Sequence, residues 1–387
     1  MRIAFNGLFL QDPGSGTGQY TRHLLEALGR VDGVNDYLIL SPRDITDVPQ
    51  TPSTFEWRTA PVGRLERGGR NVEKLVWEQY TFPAAAKREH ARLMHIPHFA
   101  PPLLTHGIPT VVTIHDVIPL RLPAYRASPA AVAYAQLVAR AAKQTTTVIT
   151  VSEYSKRDIM ELIGLPADRI RVVYEAPAHQ YRRAQGADRL REARERYGLP
   201  ERFILCTAGL DQRKNLSTLV GAFAAAYHEI GDPDLCLFIS GDPKRLGSSP
   251  LFPDWRPLAA TLGIADQVKC AYIAEADKPL LYSAASCFVY PSLYEGFGLP
   301  PLEAMACGAP VVCSDRTSLP EVVGRAGILV NPEDPDALGD AMRRVLTSAE
   351  LRDDLRARAL AHAKRFTWAQ VAVETSAVYA EVMGIRV

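Results

Sequence analysis

Apolar and polar positions follow two rhythms that hand over to each other along the whole chain. Apolar runs of four to seven residues, the length of a buried strand, are followed by stretches with the 3.6-residue period of an amphipathic helix. In the first half the runs fall at Arg2–Gly7, Asp36–Leu40, Leu93–Ile96, Thr110–His115, Thr147–Val151 and Ile170–Val173. The second half restarts the series with RFILCTA, LCLFISG, VKCAYIA, CFVYPS, PVVCSD and GILVNP. Strands separated by helices predict parallel sheets, and two such series predict two α/β domains. The polar, proline-containing stretch Pro177–Gln185 predicts the boundary, giving domains 1–180 and 181–365. The closing segment 366–387 sets Trp368, Val371, Ala372, Thr375 and Val378 at helical spacing. Only Thr54–Arg70 breaks the rhythm and reads as a loop, with Arg58, Arg64, Arg67 and Arg70 against Glu56 and Glu66. Those arginines are either solvated or meet an acidic acceptor or an anionic membrane surface.

Composition narrows the classes. At 387 residues, 47% hydrophobic and 22% charged, the chain has an ordinary globular composition, and a formal net charge of +1 gives no field for nucleic acid. No run approaches the ~18–20 apolar residues of a membrane span, and the chain opens directly on a strand, so the expectation is a cytoplasmic protein, peripheral at most on the inner face of the membrane. All six cysteines lie in the second half without a C-x-x-C pair, which favours reduced, buried thiols over a disulfide framework.

The chemistry concentrates in YPSLYEGFGLPPLEAMACGAPVVCSD, residues 290–315. A strand ends at Pro291, a loop Glu295–Leu299 follows, Pro300 and Pro301 open a short helix, Gly308 closes it, and a buried strand comes next. Gly296 and Gly298 let a ligand approach the backbone, and a helix start attracts an anion. Glu303, read as lying in the first helical turn, would take ribose-type hydroxyls, and Glu295 hydroxyls on the other side of the same anion. The plainer reading is that Glu303 complements the helix dipole and Glu295 is solvated. Arg213 and Lys214 follow the strand RFILCTA, where parallel sheets place ligands, and could meet the charge of a diphosphate or be surface charges. Gly14, Gly16 and Gly18 form G-S-G-T-G before a helix expected near Gln19, without the dinucleotide spacing. His115 ends VVTIH at a strand's carboxyl edge and, on the residues alone, reads first as a satisfied structural histidine. His95, His98, His106 and His115 match no metal-ligand spacing.

These segments together resemble one family. Glu295 and Glu303 resemble the E-x7-E signature of retaining glycosyltransferases of the two-Rossmann (GT-B) type, family 4. GLDQRKN (209–215) resembles that family's phosphate-clamping segment. MRIAFNG…GSGTGQYTRHLLEAL, VVTIHDVIPL, ITVSEYSKRDI and PEVVGRAGILVNPEDPDAL resemble its other segments in order, so the likeness spans the chain. One departure is VVYEAP (Val172–Pro177), where the family carries an Asn-Gly-Val-Asp-like run. The resemblance implies two Rossmann-like domains facing across a cleft, with a C-terminal helix crossing back to the first. It implies that Glu303 holds the ribose, Glu295 the sugar hydroxyls, and Arg213 with Lys214 the diphosphate in place of a metal. Amides at Gly296, Phe297, Gly298 and Leu299 seat the donor. The Gly16–Gly18 loop meets the donor phosphate or the acceptor, and His115 contacts the sugar. It further implies a nucleotide sugar as co-substrate, GDP-mannose ahead of UDP-hexoses, no cofactor, and a glycan or lipid-linked saccharide as acceptor. A nucleotide-sugar epimerase, a silent sugar-nucleotide-binding partner and a dehydrogenase are the alternatives.

Overall fold

The computed structural model describes residues 1–63, 69–126 and 128–385. The chain divides into two units, Met1–Glu175 with Thr367–Val387, and Ala176–Phe366. Residues 176–180, expected at the end of the first domain, and Phe366 group with the second unit.

The first unit is built on a seven-stranded parallel sheet. Its strands are β1 (Arg2–Asn6), β2 (Asp36–Ser41), β3 (Glu56–Thr59), β4 (Leu93–Ile96), β5 (Thr110–Ile114), β6 (Thr147–Thr150) and β7 (Ile170–Val172), in the order β3-β2-β1-β4-β5-β6-β7. The inner strands are buried on both faces and read as continuous apolar runs, as parallel sheets covered by helices require. Strand β3 has no counterpart in the sequence reading, which makes Thr54–Arg70 a loop throughout. EWRT pairs with β2 at the sheet edge, Ile39 opposite Trp57, and stays mostly exposed. An edge strand buries little, so it needs no apolar run to announce it. Arg58 pairs with Glu56 and Glu89 (3.3 and 3.8 Å) and Arg70 with Asp12 (3.7 Å), while Arg64, Glu66 and Arg67 lie outside the described residues.

The helix Trp368–Val382 returns to this unit and packs on the helix Gly16–Val31. It buries the five residues at the expected spacing and also Tyr379, whose hydroxyl bonds His95 Nδ1 at 2.6 Å.

The second unit carries a six-stranded parallel sheet of β8 (Phe203–Cys206), β9 (Cys236–Ser240), β10 (Val268–Ala271), β11 (Cys287–Tyr290), β12 (Val311–Ser314) and β13 (Ile328–Val330), in the order β10-β9-β8-β11-β12-β13. All six cysteines are free, and five are buried. Each sheet reverses its winding once, between β1 and β4 and between β8 and β11. Ligands of open parallel sheets bind outside the carboxyl ends of the strands at such reversals. Among the described residues no helix is long and apolar enough to cross a membrane.

Candidate functional site

The carboxyl ends of β8 and β11 bring three of the expected site residues together. After β8 the chain makes one 3₁₀ turn, Gln212–Lys214, and leaves it through Asn215 in the left-handed conformation (φ 56°), which asparagine tolerates. Asn215 Nδ2 donates to Pro332 O at 2.6 Å and holds the turn in place. Arg213 and Lys214 thereby point at Glu295. Lys214 Nζ donates to Glu295 Oε1 (2.5 Å) and Tyr290 OH (2.7 Å), and Arg213 Nη1 to Glu295 Oε2 (2.8 Å) and Tyr294 O (3.1 Å). The Tyr290 hydroxyl and Ser292 Oγ also donate to Oε1, at 2.9 and 2.6 Å.

Lys214 is 5% and Glu295 8% exposed, so neither is a surface charge. Burial alone would raise the Glu295 carboxyl, but the Lys214 ammonium and then the Arg213 guanidinium hold it down at about 2. Burial lowers the Lys214 ammonium, and Glu295 opposes that. Oε1 takes three donors and Oε2 one among the described residues, leaving Oε2 capacity for a further hydroxyl.

The loop after Glu295 is pinned from β12. Glu295 N–H donates to Thr317 Oγ1 (3.1 Å), and Ser318 Oγ donates to Glu295 O (3.1 Å) and Phe297 O (2.5 Å). Thr317 has φ 57°, a backbone region β-branched residues avoid and one that clusters at functional sites. Gly298 has φ 120°, and a Cβ there would sit 2.7 Å from Leu319 Cδ2. Its glycine is required by the chain itself, whatever a ligand adds.

The helix runs Leu299–Ala306, which corrects two expectations. Starting it at Leu299 puts Glu303 in the second turn, beyond the usual reach of dipole complementation. Pro300 and Pro301 occupy the two positions after Leu299 and have no N–H, so the helix start offers fewer donors than a general one. The Phe297 side chain is buried against Phe366, ring centroids 6.2 Å apart.

Glu303 belongs to a separate cluster. It accepts from Tyr282 OH at 3.1 Å, and Tyr181, whose hydroxyl donates to Glu275 at 3.2 Å, lies close by. Burial pushes its carboxyl up to about 7, with Lys278 only partly opposing. Of the two glutamates, one is held ionised by cations and the other sits where its charge is disfavoured.

In the first unit, His115 follows β5. Its Nδ1 bonds Glu175 Oε1 (2.8 Å), its Nε2 bonds Pro97 O (3.1 Å), and Tyr20 packs edge-on at 4.5 Å. Burial would lower the imidazole, but Glu175 raises it above its ordinary value. Both ring nitrogens face acceptors, so the protonated ring fits this pocket best. Among the described residues no group of three or more His, Cys, Asp or Glu could hold a metal ion.

Gly16 and Gly18 lie inside a helix rather than in a loop before it. The helix spans Gly16–Val31, and Ser15 Oγ caps it by accepting from Gly18 N at 3.1 Å. A Cβ on Gly18 would meet Asp12 O at 2.2 Å and Phe9 O at 2.8 Å, whereas one on Gly16 would meet nothing within 4 Å. We therefore expect Gly18→Ala to lose about 1–3 kcal/mol by overpacking and Gly16→Ala to be close to neutral, read as melting temperatures of the two variants.

The family described as Glycosyltransferase Family 4 matches residues 14–176, and Glycosyl transferases group 1 matches residues 191–362. O-antigen chain mannosyltransferase B of Escherichia coli is 30% identical over 388 residues, 98% of this chain and 99% of the relative. The chain belongs to glycosyltransferase family 4. Sucrose-phosphate synthase from Thermosynechococcus elongatus aligns with a TM-score of 0.74 at 21% identity, covering 99% of each chain. Anabaena HepE in complex with UDP and glucose aligns at 0.73 and 18%, covering 98% of this chain and 99% of that one. Both place this glycosyltransferase in the GT-B fold.

Several residues of the glycosyltransferase that complete these clusters are missing from the sequence reading. Tyr290 and Ser292 flank the proline after β11 and carried a readable signal, being polar groups at a strand's carboxyl end. Glu175 stands in the VVYEAP departure, and its pairing with His115 spans 60 positions. Tyr181 and Tyr282 are common core residues, and nothing local marks them as partners of Glu303.

Proposed function

We propose that this glycosyltransferase moves mannose from GDP-mannose to a hydroxyl of a growing or lipid-linked glycan, with retention at the anomeric carbon and without a metal. The observation that carries the reading is the buried Arg213–Lys214–Glu295 cluster at the reversal between β8 and β11. A fixed pair of cations in a water-poor pocket is what a departing diphosphate needs, because charge grows on it as the sugar–phosphate bond breaks. Arg213 offers a fork and Lys214 a point charge.

When the diphosphate arrives it competes with Glu295 for both cations, and Oε2 is freed to accept sugar hydroxyls. Glu303, in its own cluster, accepts the ribose hydroxyls. In the same-face route the bond from C1 to the phosphate oxygen breaks, and the acceptor oxygen bonds C1 on the same side. The acceptor's proton passes to the leaving phosphate, so no carboxylate nucleophile is needed. The named relative transfers mannose, which puts GDP-mannose ahead of UDP-hexoses.

The test is the melting temperature of the protein with GDP and with UDP, each in EDTA. A nucleotide at about 100 times its Kd should add about 2.7 kcal/mol. Stabilisation by GDP alone supports the proposed donor class. Stabilisation by UDP alone replaces it with a UDP-hexose, and stabilisation only after a divalent metal is restored overturns metal independence.

A further inference from the structure

The second unit holds a cavity of about 760 Å³ that none of the donor chemistry uses. One wall is the segment Gln180–Gln185 with the start of the helix Ala187–Arg196, and the other is the first turn of the helix Lys278–Ala284. None of Arg213, Lys214, Glu295 and Glu303 lines it. Its volume falls in the ~300–1,000 Å³ range of small-molecule sites.

The backbone of the first wall is fixed at both ends. Tyr181 is buried, packs edge-on against Tyr282 at 5.9 Å and donates to Glu275 Oε2 at 3.2 Å. Ala184 N–H donates to Ser283 Oγ at 2.9 Å, and that hydroxyl donates to Pro279 O at 2.7 Å. Between these anchors Arg182 and Arg183 stand exposed at the cavity. Arg189 joins them from the helix, its stem 3.9 Å from where a Cβ on Gly186 would lie.

The charges decide which ligand fits. Among the described residues Arg182, Arg183 and Arg189 pair with no carboxylate, and the neighbouring carboxylates are taken: Asp188 by Arg191 (2.8 Å), Asp353 by Arg356 (3.0 Å) and Glu275 by Lys278. Like charges even crowd together here. The stems of Arg183 and Arg356 both come within 3.5 Å of the place a Cβ on Gly308 would take, and burial, then Arg183, hold the Arg356 guanidinium below its ordinary value. Cations gathered without counter-charge repel one another, and a bound anion removes that cost. The guanidinium fork matches a phosphate bidentately. Gln180 and Gln185 add neutral amides for ester or hydroxyl oxygens, and Pro279 and Leu280 an apolar side. A bilayer surface is met by a face with apolar anchors beside its basic residues, whereas these arginines line a recess.

We infer that this pocket binds a small soluble phosphate ester or polyphosphate carrying at least two negative charges, held by Arg182, Arg183 and Arg189. It is a second anion site, separate from the Arg213–Lys214 clamp, and it goes beyond the proposed transfer without depending on it.

Isothermal titration calorimetry on the whole protein at about 0.15 M salt, where exposed charges are screened beyond ~8 Å, tests it. The probes are pyrophosphate and fructose 1,6-bisphosphate, each titrated alone and with the donor site saturated by GDP or UDP, whichever raises the melting temperature. The expected result is that at least one probe still binds beside the nucleotide, with Kd raised at least tenfold in Arg182→Gln/Arg189→Gln. The nucleotide-induced melting shift of that variant should stay as in the wild type. If the double variant fails to fold, Arg189→Gln decides, with a severalfold rise expected. Loss of all probe binding beside the nucleotide makes the clamp the one anion site and overturns the inference. Binding of neither probe, or an unchanged Kd in the variants, overturns it as well. Sedimentation with phosphatidylglycerol vesicles that depends on these arginines, with neither soluble probe bound, overturns the soluble ligand and gives the pocket to a lipid headgroup. If neither GDP nor UDP shifts the wild type while probe binding dependent on Arg182 and Arg189 persists, the donor reading falls and this site stands.

Discussion

Lys214→Ala should lower turnover by about 10²–10³-fold, the loss typical of removing one fixed donor to a developing anion. It should also destabilise the protein by about 3–5 kcal/mol, because breaking a buried ion pair leaves the other charge uncompensated. Glu295 is 8% exposed and would keep only Arg213 as a cationic partner. The two effects separate in the double variant Lys214→Ala/Glu295→Ala. Removing both charges removes the uncompensated one, so denaturant unfolding should recover part of the lost stability. Turnover should stay low, because the diphosphate still lacks its ammonium. Unchanged turnover in Lys214→Ala overturns the clamp, and recovered turnover in the double variant would make Lys214 only a counter-charge for Glu295. The pair also gives acid sensitivity. Glu295 has its carboxyl lowered from 4.5 to about 2, so its pairing stabilises the protein above about pH 4.5 and is lost as pH falls towards 2.

Glu303→Gln should move binding and stability in opposite directions. Burial raises the Glu303 carboxyl from 4.5 to about 7, so between those values the folded protein holds a proton that the unfolded chain has released. Folding stability therefore falls as pH rises through that window, by about 3 kcal/mol at most, and the deficit is complete above about pH 7. A glutamine carries no such charge, so at pH 8 the variant should melt higher than the wild type. If ribose hydroxyls donate to the carboxylate, nucleotide binding favours the ionised form. Wild-type Kd should then weaken as pH falls below 7, by up to tenfold per unit, with proton release on binding. Glu303→Gln should lose that pH dependence and bind about 10–100-fold more weakly at pH 8, the cost of a hydrogen bond to a charged group. Calorimetry in two buffers of different ionisation enthalpy reads the proton release directly. A pH-independent wild-type Kd, or unchanged affinity in the variant, would remove Glu303 from the ribose.

The contrast between these two glutamates could not be read from the chain. Both stand in one 26-residue motif, eight positions apart, with the same side chain. Which one is ionised depends on what lies beside it. Glu295 receives cations from residues 81 and 82 positions away, and Glu303 receives the phenol of Tyr282 from another helix. Electrostatics falls off with distance in space, and sequence separation carries no information about it. The glycines show the same limit from another side. The G-S-G-T-G run reads as a ligand loop, yet Gly18 is needed because Asp12 O and Phe9 O come too close for a Cβ.

The sequence by itself determined the class of fold, all but one strand, the returning helix, the family, and the residues that gather at the second reversal. These are set by periodicity and by short-range chemistry, which the order of residues records directly. Tertiary structure alone decided the exposed edge strand β3, the second-turn position of Glu303 and the opposite titration of the two glutamates. It also decided the pairing of His115 with Glu175. Each of those depends on burial or on a partner brought from far along the chain, and burial exists only once the chain has folded.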